Sequence, residues 1–296
     1  MPLYANSRAD LIKFMLKVPL RNYVGGVVDS GTTTTVVDNS LEQPDDYFQN
    51  TTPVSRVRIL STTDGQAPKG EERRITDYAH STGTITVSTD KPFSAAPGAG
   101  DTFIVLDEYD WEELAAAINL VIAGLTEKCL IYKVDETLET QSDTYELALP
   151  SGFVTVHRVS MANSDGDFLE PIPPDQYRIH KENPAKIKFL TMPTDQQHVD
   201  HYYGDSWFNS GLEADRVLRI EGYTKQGELE TDDAICYLNP NYIVYKAAAL
   251  VLGSRITAQD FDAYQARRDE CEKQAEAFAK ELVVTQFPPD TKWVSR

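Results

Sequence analysis

Basic residues are scarce in this chain. Lys and Arg number 28 against 46 Asp and Glu, for a formal net charge of -18 and a pI near 4.6. Such a surface repels a polyphosphate over most of its area, because nucleic-acid binding needs Lys and Arg to displace counterions. Cysteine is scarcer still: Cys129, Cys236 and Cys271, an odd count with no C-x-x-C pair. This argues against a disulfide framework or a zinc knuckle and predicts buried thiols in a chain made under reducing conditions. Long apolar runs are missing too. The most apolar stretch, Tyr242 to Gly253, is too short to span a bilayer and contains Lys246. The opening "MPLYANSRADLIKFMLKV" lacks the apolar core and small-residue cleavage site of a signal peptide. The expectation is a soluble protein with no membrane partner.

Signatures of chemistry are absent as well. There is no G-x-S-x-G, Walker A loop, G-x-G-x-x-G or H-E-x-x-H. Of five histidines, only His198 and His201 are close, in "HVDH" beside Asp195 and Asp200. A polar loop explains them more simply than a metal site, since no cysteine or third histidine lies nearby in the sequence. Paired acids such as Asp45–Asp46, Glu112–Glu113 and Asp232–Asp233 are common in an acidic chain, and nothing sets their separation or burial. "NSDGD", Asn163 to Asp167, starts like a calcium loop but lacks the downstream Glu and reads as a turn. Clustered bases occur at Arg56, Arg58, Arg73 and Arg74 and again at Arg267, Arg268 and Lys273. Strand alternation puts Arg56 and Arg58 on the face opposite Val57 and Ile59, which suits a solvated or salt-bridged face better than a phosphate reader. The expectation is a non-enzyme with no cofactor.

What is present is strand, turn and amphipathic helix. A length of 296 residues suggests two domains at the usual ~150 residues each. Ser7 and Asp10 form a capping-box variant ahead of Leu11, Phe14, Met15 and Val18. Asp110 and Glu113 do the same ahead of Trp111, Leu114, Ile118, Val121, Ile122 and Leu125. Asn239 with Pro240 opens a third helix, and Thr257 caps a fourth that bears Phe261, Tyr264, Cys271, Ala275, Phe278 and Leu282. Short strands and turn clusters fill the rest, among them the hairpin "EERRITDYAHSTGTITVS", where Ile75, Ile85 and Val87 should face a core and Arg74, Thr76 and Tyr78 should face out.

The predicted fold class is α+β. A helical bundle core is built from the N-terminal helix, the central helix and the C-terminal helical hairpin. Two β-rich segments and an extended C-terminal arm are attached to it. The helical core takes residues 1–24, 108–128 and 239–285; a small β barrel or sandwich takes 25–107; the second β segment takes 129–238; the arm takes 286–296. Helix residues Trp111, Ile118, Phe261, Tyr264 and Phe278 serve as core or subunit contacts. The long polar and aromatic loop "TDQQHVDHYYGDSWFNSGLEAD" offers Tyr202, Tyr203, Trp207 and Phe208 to a partner.

Taken together, "DDYFQN", "RVRILSTTDGQAPKGEERRITDYAHSTGTITVS" and "PGAGDTFIV" resemble a β module of tailed-phage virion proteins. "WEELAAAINLVI", "ELALPSGFVTVHRVSM" and the Pro240-Asn241-Tyr242 helix with "YKAAALVLGSR" resemble head-to-tail adaptor or neck proteins of such phages. The similarity covers most of the chain, although the first β segment does not occur in every adaptor. The resemblance implies a ring, usually of about twelve copies, bound under a portal protein, touching other neck or tail proteins, and passing genomic DNA without specific binding. It implies assembly in the host cytoplasm and a place at the virion's head–tail interface. It also implies that the C-terminal arm docks on the portal, with Phe287, Pro288, Pro289 and Trp293 as anchors. Two other readings stay open: a tail-associated carbohydrate- or receptor-binding module using "HYYGDSWF", and a hydrolase using His198, His201 and neighbouring acids.

Overall fold

A computed structural model describes residues 4–49, 54–125, 129–141, 144–162, 166–168, 171–180, 184–190, 215–255 and 261–282. In chain order they form β1 (Asn6–Ser7), α1 (Arg8–Lys17), β2 (Val24–Val27), β3 (Ser30–Thr32), β4 (Thr35–Val37), β5 (Arg56–Ser61), β6 (Glu72–Ala79), β7 (Thr84–Val87), β8 (Thr102–Leu106), α2 (Trp111–Gly124), β9 (Leu130–Glu139), β10 (Glu146–Ala148), β11 (Phe153–Met161), β12 (Tyr177–His180), β13 (Lys186–Phe189), β14 (Val217–Lys225), β15 (Ile235–Cys236), α3 (Pro240–Ser254) and α4 (Phe261–Ala279). They divide into two compact units, one of Tyr4–Leu125 and Gly227–Leu282, the other within Thr126–Gln226.

The first unit is organised by a seven-stranded antiparallel sheet in the order β2-β8-β5-β6-β7-β4-β3. Its two edge strands are consecutive in the chain, joined only by Val28 and Asp29. Val28 N donates to Asp101 O beside β8, and Asp29 N donates to Val37 O at the end of β4. One chain segment therefore pairs with both ends of the sheet, which rolls it into a barrel and leaves no long free edge. Val36, Val57, Ile59, Ile75, Ile85, Val87, Phe103 and Val105 fill the interior, with Phe48 and Phe93 from loops. Gly83 lets the β6–β7 connection turn: its φ is +56°, and a Cβ there would lie 2.0 Å from Asp38 O.

That hairpin departs from simple alternation. A register shift between Ile75 and Asp77 turns Tyr78 inward, where it is 1% exposed and its hydroxyl donates to Leu41 O at 3.1 Å. The extra residue of a β-bulge flips every side chain beyond it.

The helices of this unit cap as their sequences dictate. Ser7 Oγ accepts from Asp10 N, Asp110 from Glu112 N, and Asn239 from Asn241 N. Glu113, expected to complete a capping box, instead holds Arg255 at 2.6 Å. α3 packs against α1, α2 and α4. Among the described residues no helix is long and apolar enough to cross a membrane.

The second unit is a sandwich of two three-stranded antiparallel sheets, β10-β13-β12 and β11-β14-β9. Leu147, Ile187, Phe189 and Tyr177 from one sheet meet Val159, Leu218 and Ile220 from the other. β12 and β13 form the hairpin read from "QYRIHKENPAKIKFL", with Tyr177 opposite Phe189.

The α+β expectation of a helical bundle core with appended β segments is corrected by this arrangement. The described residues form fifteen strands and four α-helices, and the chain is mainly β-sheet. An apolar stripe says that one face of a helix is covered, not that another helix covers it. The sheets close on their own apolar faces, so they are cores in their own right rather than appendages.

Candidate functional site

The most built polar cluster lies in the first unit around Asp232. Arg8 reaches Asp232 Oδ1 through Nε at 3.1 Å and Nη2 at 2.7 Å, and donates Nη1 to Leu229 O at 3.0 Å. Arg58 Nη2 donates to Asp232 Oδ2 at 2.7 Å, and Trp111 Nε1 to Oδ1 at 3.0 Å. The Arg58 guanidinium also lies 4.7 Å from the centre of a Trp111 ring, within cation–π range. Around this lies a second ring of charge: Glu72 with Arg56 at 2.9 Å and Arg58 at 3.6 Å, and Asp110 with Arg56 at 2.8 Å. The first turn of α1, strand β5, the start of α2 and the segment before β15 are thereby tied at one point.

The electrostatics follow from burial set against bonding. Burial works to raise the Asp232 carboxyl's pKa, but the hydrogen bonds from Arg58, Arg8 and Trp111 outweigh it and hold the carboxyl below its ordinary value. Glu72 goes the other way, because burial outweighs the lowering by Arg56 and Arg58. Arg8, Arg56 and Arg58 balance Asp232, Glu72 and Asp110 charge for charge. Every member is occupied by another, so the cluster has the chemistry of an internal clamp rather than of a general acid and base.

Four other bases of the first unit are also engaged. Arg73 pairs with Glu71 at 2.5 Å, Lys69 with Asp233 at 2.7 Å, and Arg268 with Asp269 at 3.0 Å, while Arg267 donates to the carbonyls of Pro19 and Leu20. The three cysteines are buried and form no disulfide among the described residues, and burial pushes the Cys236 and Cys271 thiols up to about 11, away from nucleophilic character. Among the described residues no three His, Cys, Asp or Glu side chains are grouped to hold a metal ion.

The second unit carries a charged surface of a different kind. On β10, β13 and β12 the inward positions are Leu147, Ile187, Ile179, Phe189 and Tyr177. The outward positions are Glu146 and Ala148, Lys186 and Lys188, and Arg178 and His180. Register places Arg178 opposite Lys188 and His180 opposite Lys186. Glu146, the one acid on these strands, meets Lys188 at 2.8 Å, and the bond and charge of Lys188 hold its carboxyl below the usual range.

The residues singled out from sequence are scattered. Trp111 and Ile118 are fully buried and serve the unit's own core. The Tyr264 hydroxyl donates to Glu108 Oε1 at 2.5 Å, and Phe278 stacks on Tyr245 with centroids 5.9 Å apart. Phe261 opens α4, and its side chain lies outside the described residues. Also outside them are Tyr202, Tyr203, Trp207, Phe208, His198, His201, Phe287, Pro288, Pro289 and Trp293. The Asp232 cluster escaped sequence reading because Arg8 and Asp232 are 224 residues apart. The basic sheet face had a legible signal, the alternation in "YRIH" and "KIKF". No protein-family model and no curated protein matches the chain.

Proposed function

We propose that the chain is a structural, non-enzymatic virion protein of a tailed phage: a head–tail adaptor or neck protein. It forms a ring with copies of itself between the portal and the tail and passes the genome without reading it. The observation that carries this reading is the run from "DDYF" to "GDTFIV", whose motifs resemble a virion β module and whose residues supply β5 to β8 of the small barrel. Two further features support it. The buried Arg8 and Arg58 both bind Asp232, which suits a rigid building block. Large apolar side chains also stand out from otherwise buried elements, Leu120 on α2 at 63% exposure and Leu250 on α3 at 38%, and exposed apolar surface serves assembly.

The test is electron microscopy of negatively stained virions and of the protein mixed with portal. The expected result is a ring at the neck in both. A stable monomer that is absent from virions would refute the reading.

A further inference from the structure

We propose that the apolar face along the seam between α2 and α3 receives residues 283–296 of a neighbouring copy of this chain, head to tail. The inference rests on the ring-forming function above and gives one of its contacts two named sides. Glu113 on α2 holds Arg255 at 2.6 Å and accepts from Ser254 Oγ at 3.5 Å, so the start of α2 lies beside the end of α3. Leu120 stands two turns beyond Glu113 on the same side of α2, and Leu250 one turn before Ser254 on the same side of α3. Both leucines therefore border the seam where the two helices pack. Leu120 is 63% exposed and Leu250 38%, and Ala116 and Ala123, each a turn from Leu120, are exposed too. Exposed apolar surface with a polar rim marks interaction sites. Here the rim is acidic: Glu112 lies one turn before Ala116, Glu228 accepts from Asn119 Nδ2 at 3.4 Å, and both acids are exposed.

Residues 283–296, "VVTQFPPDTKWVSR", carry the matching chemistry. Val284, Phe287 and Trp293 supply apolar anchors, and Lys292 and Arg296 outnumber the one acid, Asp290. In a chain with 46 acids and 28 bases a net positive stretch is the exception, and it suits an acidic rim. Pro288 and Pro289 restrict the backbone and so lower the entropy that docking costs. The fourteen residues reach roughly 46–50 Å when extended, against about 21 Å for the 14-residue α2. They follow Leu282, the last described residue, at the start of α3, where Glu281 accepts from Asn239 Nδ2 at 3.2 Å. The segment is therefore long enough to leave its own helices. Segment and seam are different surfaces, so the contact is heterologous, and heterologous contacts build rings or open filaments rather than closed pairs. A segment laid on its own seam would join no copies.

Leu120→Glu and the pair Phe287→Ala/Trp293→Ala test this. Leu120 is largely exposed, so Leu120→Glu should leave the Tm unchanged, which separates lost assembly from lost folding. Mass photometry of the full chain over a concentration series should show the wild type in species larger than a dimer. Each variant alone should be shifted towards monomer, with association weakened roughly tenfold or more. Mixed in equal amounts, the two variants should form a dimer, because the intact segment of the Leu120→Glu chain fits the intact seam of the other. Variants that assemble as the wild type does would overturn this contact while leaving the ring function standing. A mixture that stays monomeric would overturn the pairing of segment with seam. A wild type that is monomeric at every concentration, or stops at a dimer, overturns the head-to-tail contact, and only its absence from virions would refute the ring function as well. Portal binding lost in Phe287→Ala/Trp293→Ala with self-assembly unchanged would assign the segment to the portal and overturn the proposal too.

Discussion

Two groups of basic side chains behave in opposite ways in this molecule. Arg8 and Arg58 are nearly sealed from water, with side-chain exposures of 10% each, and both bind Asp232 at 16%. Lys188 and Glu146, the acid it pairs with, are 44% and 48% exposed, and the residue opposite Lys188 on β12 is another base, Arg178. In the first group every charge is spent inside the fold. In the second, an ion pair at the surface sits beside a like charge, at a small cost to the sheet. Counting arginines and lysines along a sequence does not separate the two cases; the distribution of counter-charges does.

The contrast breaks most severely at Asp232. Asp232→Ala leaves Arg8 and Arg58 in place without their carboxylate, and loss of one member of a buried ion pair costs about 3–5 kcal/mol. Urea denaturation followed by circular dichroism should show that loss in the transition of the first unit. An unchanged midpoint would place the stabilising weight elsewhere.

Trp111→Phe keeps the packed ring but removes the indole N–H bond to Oδ1 and weakens the cation–π contact with Arg58. The expected cost in the same measurement is about 1–2 kcal/mol.

A pH series sharpens the comparison through linkage. The Asp232 carboxyl is held below its unfolded value. Its contribution is therefore present above an unfolded pKa of about 3.9 and lost as the pH falls through the folded pKa. Wild-type stability should drop across that acid window. Asp232→Asn, with no carboxyl to protonate there, should show a shallower slope.

The smallest effect is expected on the exposed face. Arg178→Glu should stabilise its unit by about 0.2–1 kcal/mol, the range for a cross-strand charge pair. Equal loss of stability at Arg178 and Asp232 would erase the distinction between the two regions.

Local signals were legible to the extent that local physics governs them. Ser7, Asp110 and Asn239 cap their helices because a short polar side chain ahead of an apolar stripe satisfies free backbone N–H groups. The β12–β13 pairing follows from the alternation of apolar and polar residues on each strand. Tyr78 was misread because a bulge leaves no mark in the residue types around it. Glu113 was misread because Arg255, its partner, is 142 positions away.

The sequence by itself determined where the four helices and several of the strands lie, the caps of three helices, the acidic balance and the lack of a familiar catalytic signature. These depend on neighbours within a few residues or on composition. Only the tertiary structure decided that two β cores rather than a helical bundle organise the chain, that β2 and β3 close one sheet into a barrel, and that Arg58 is a buried clamp while Arg178 and Lys188 oppose each other on a surface. Those outcomes depend on strand register and on which charges meet across long separations, and no local pattern encodes either.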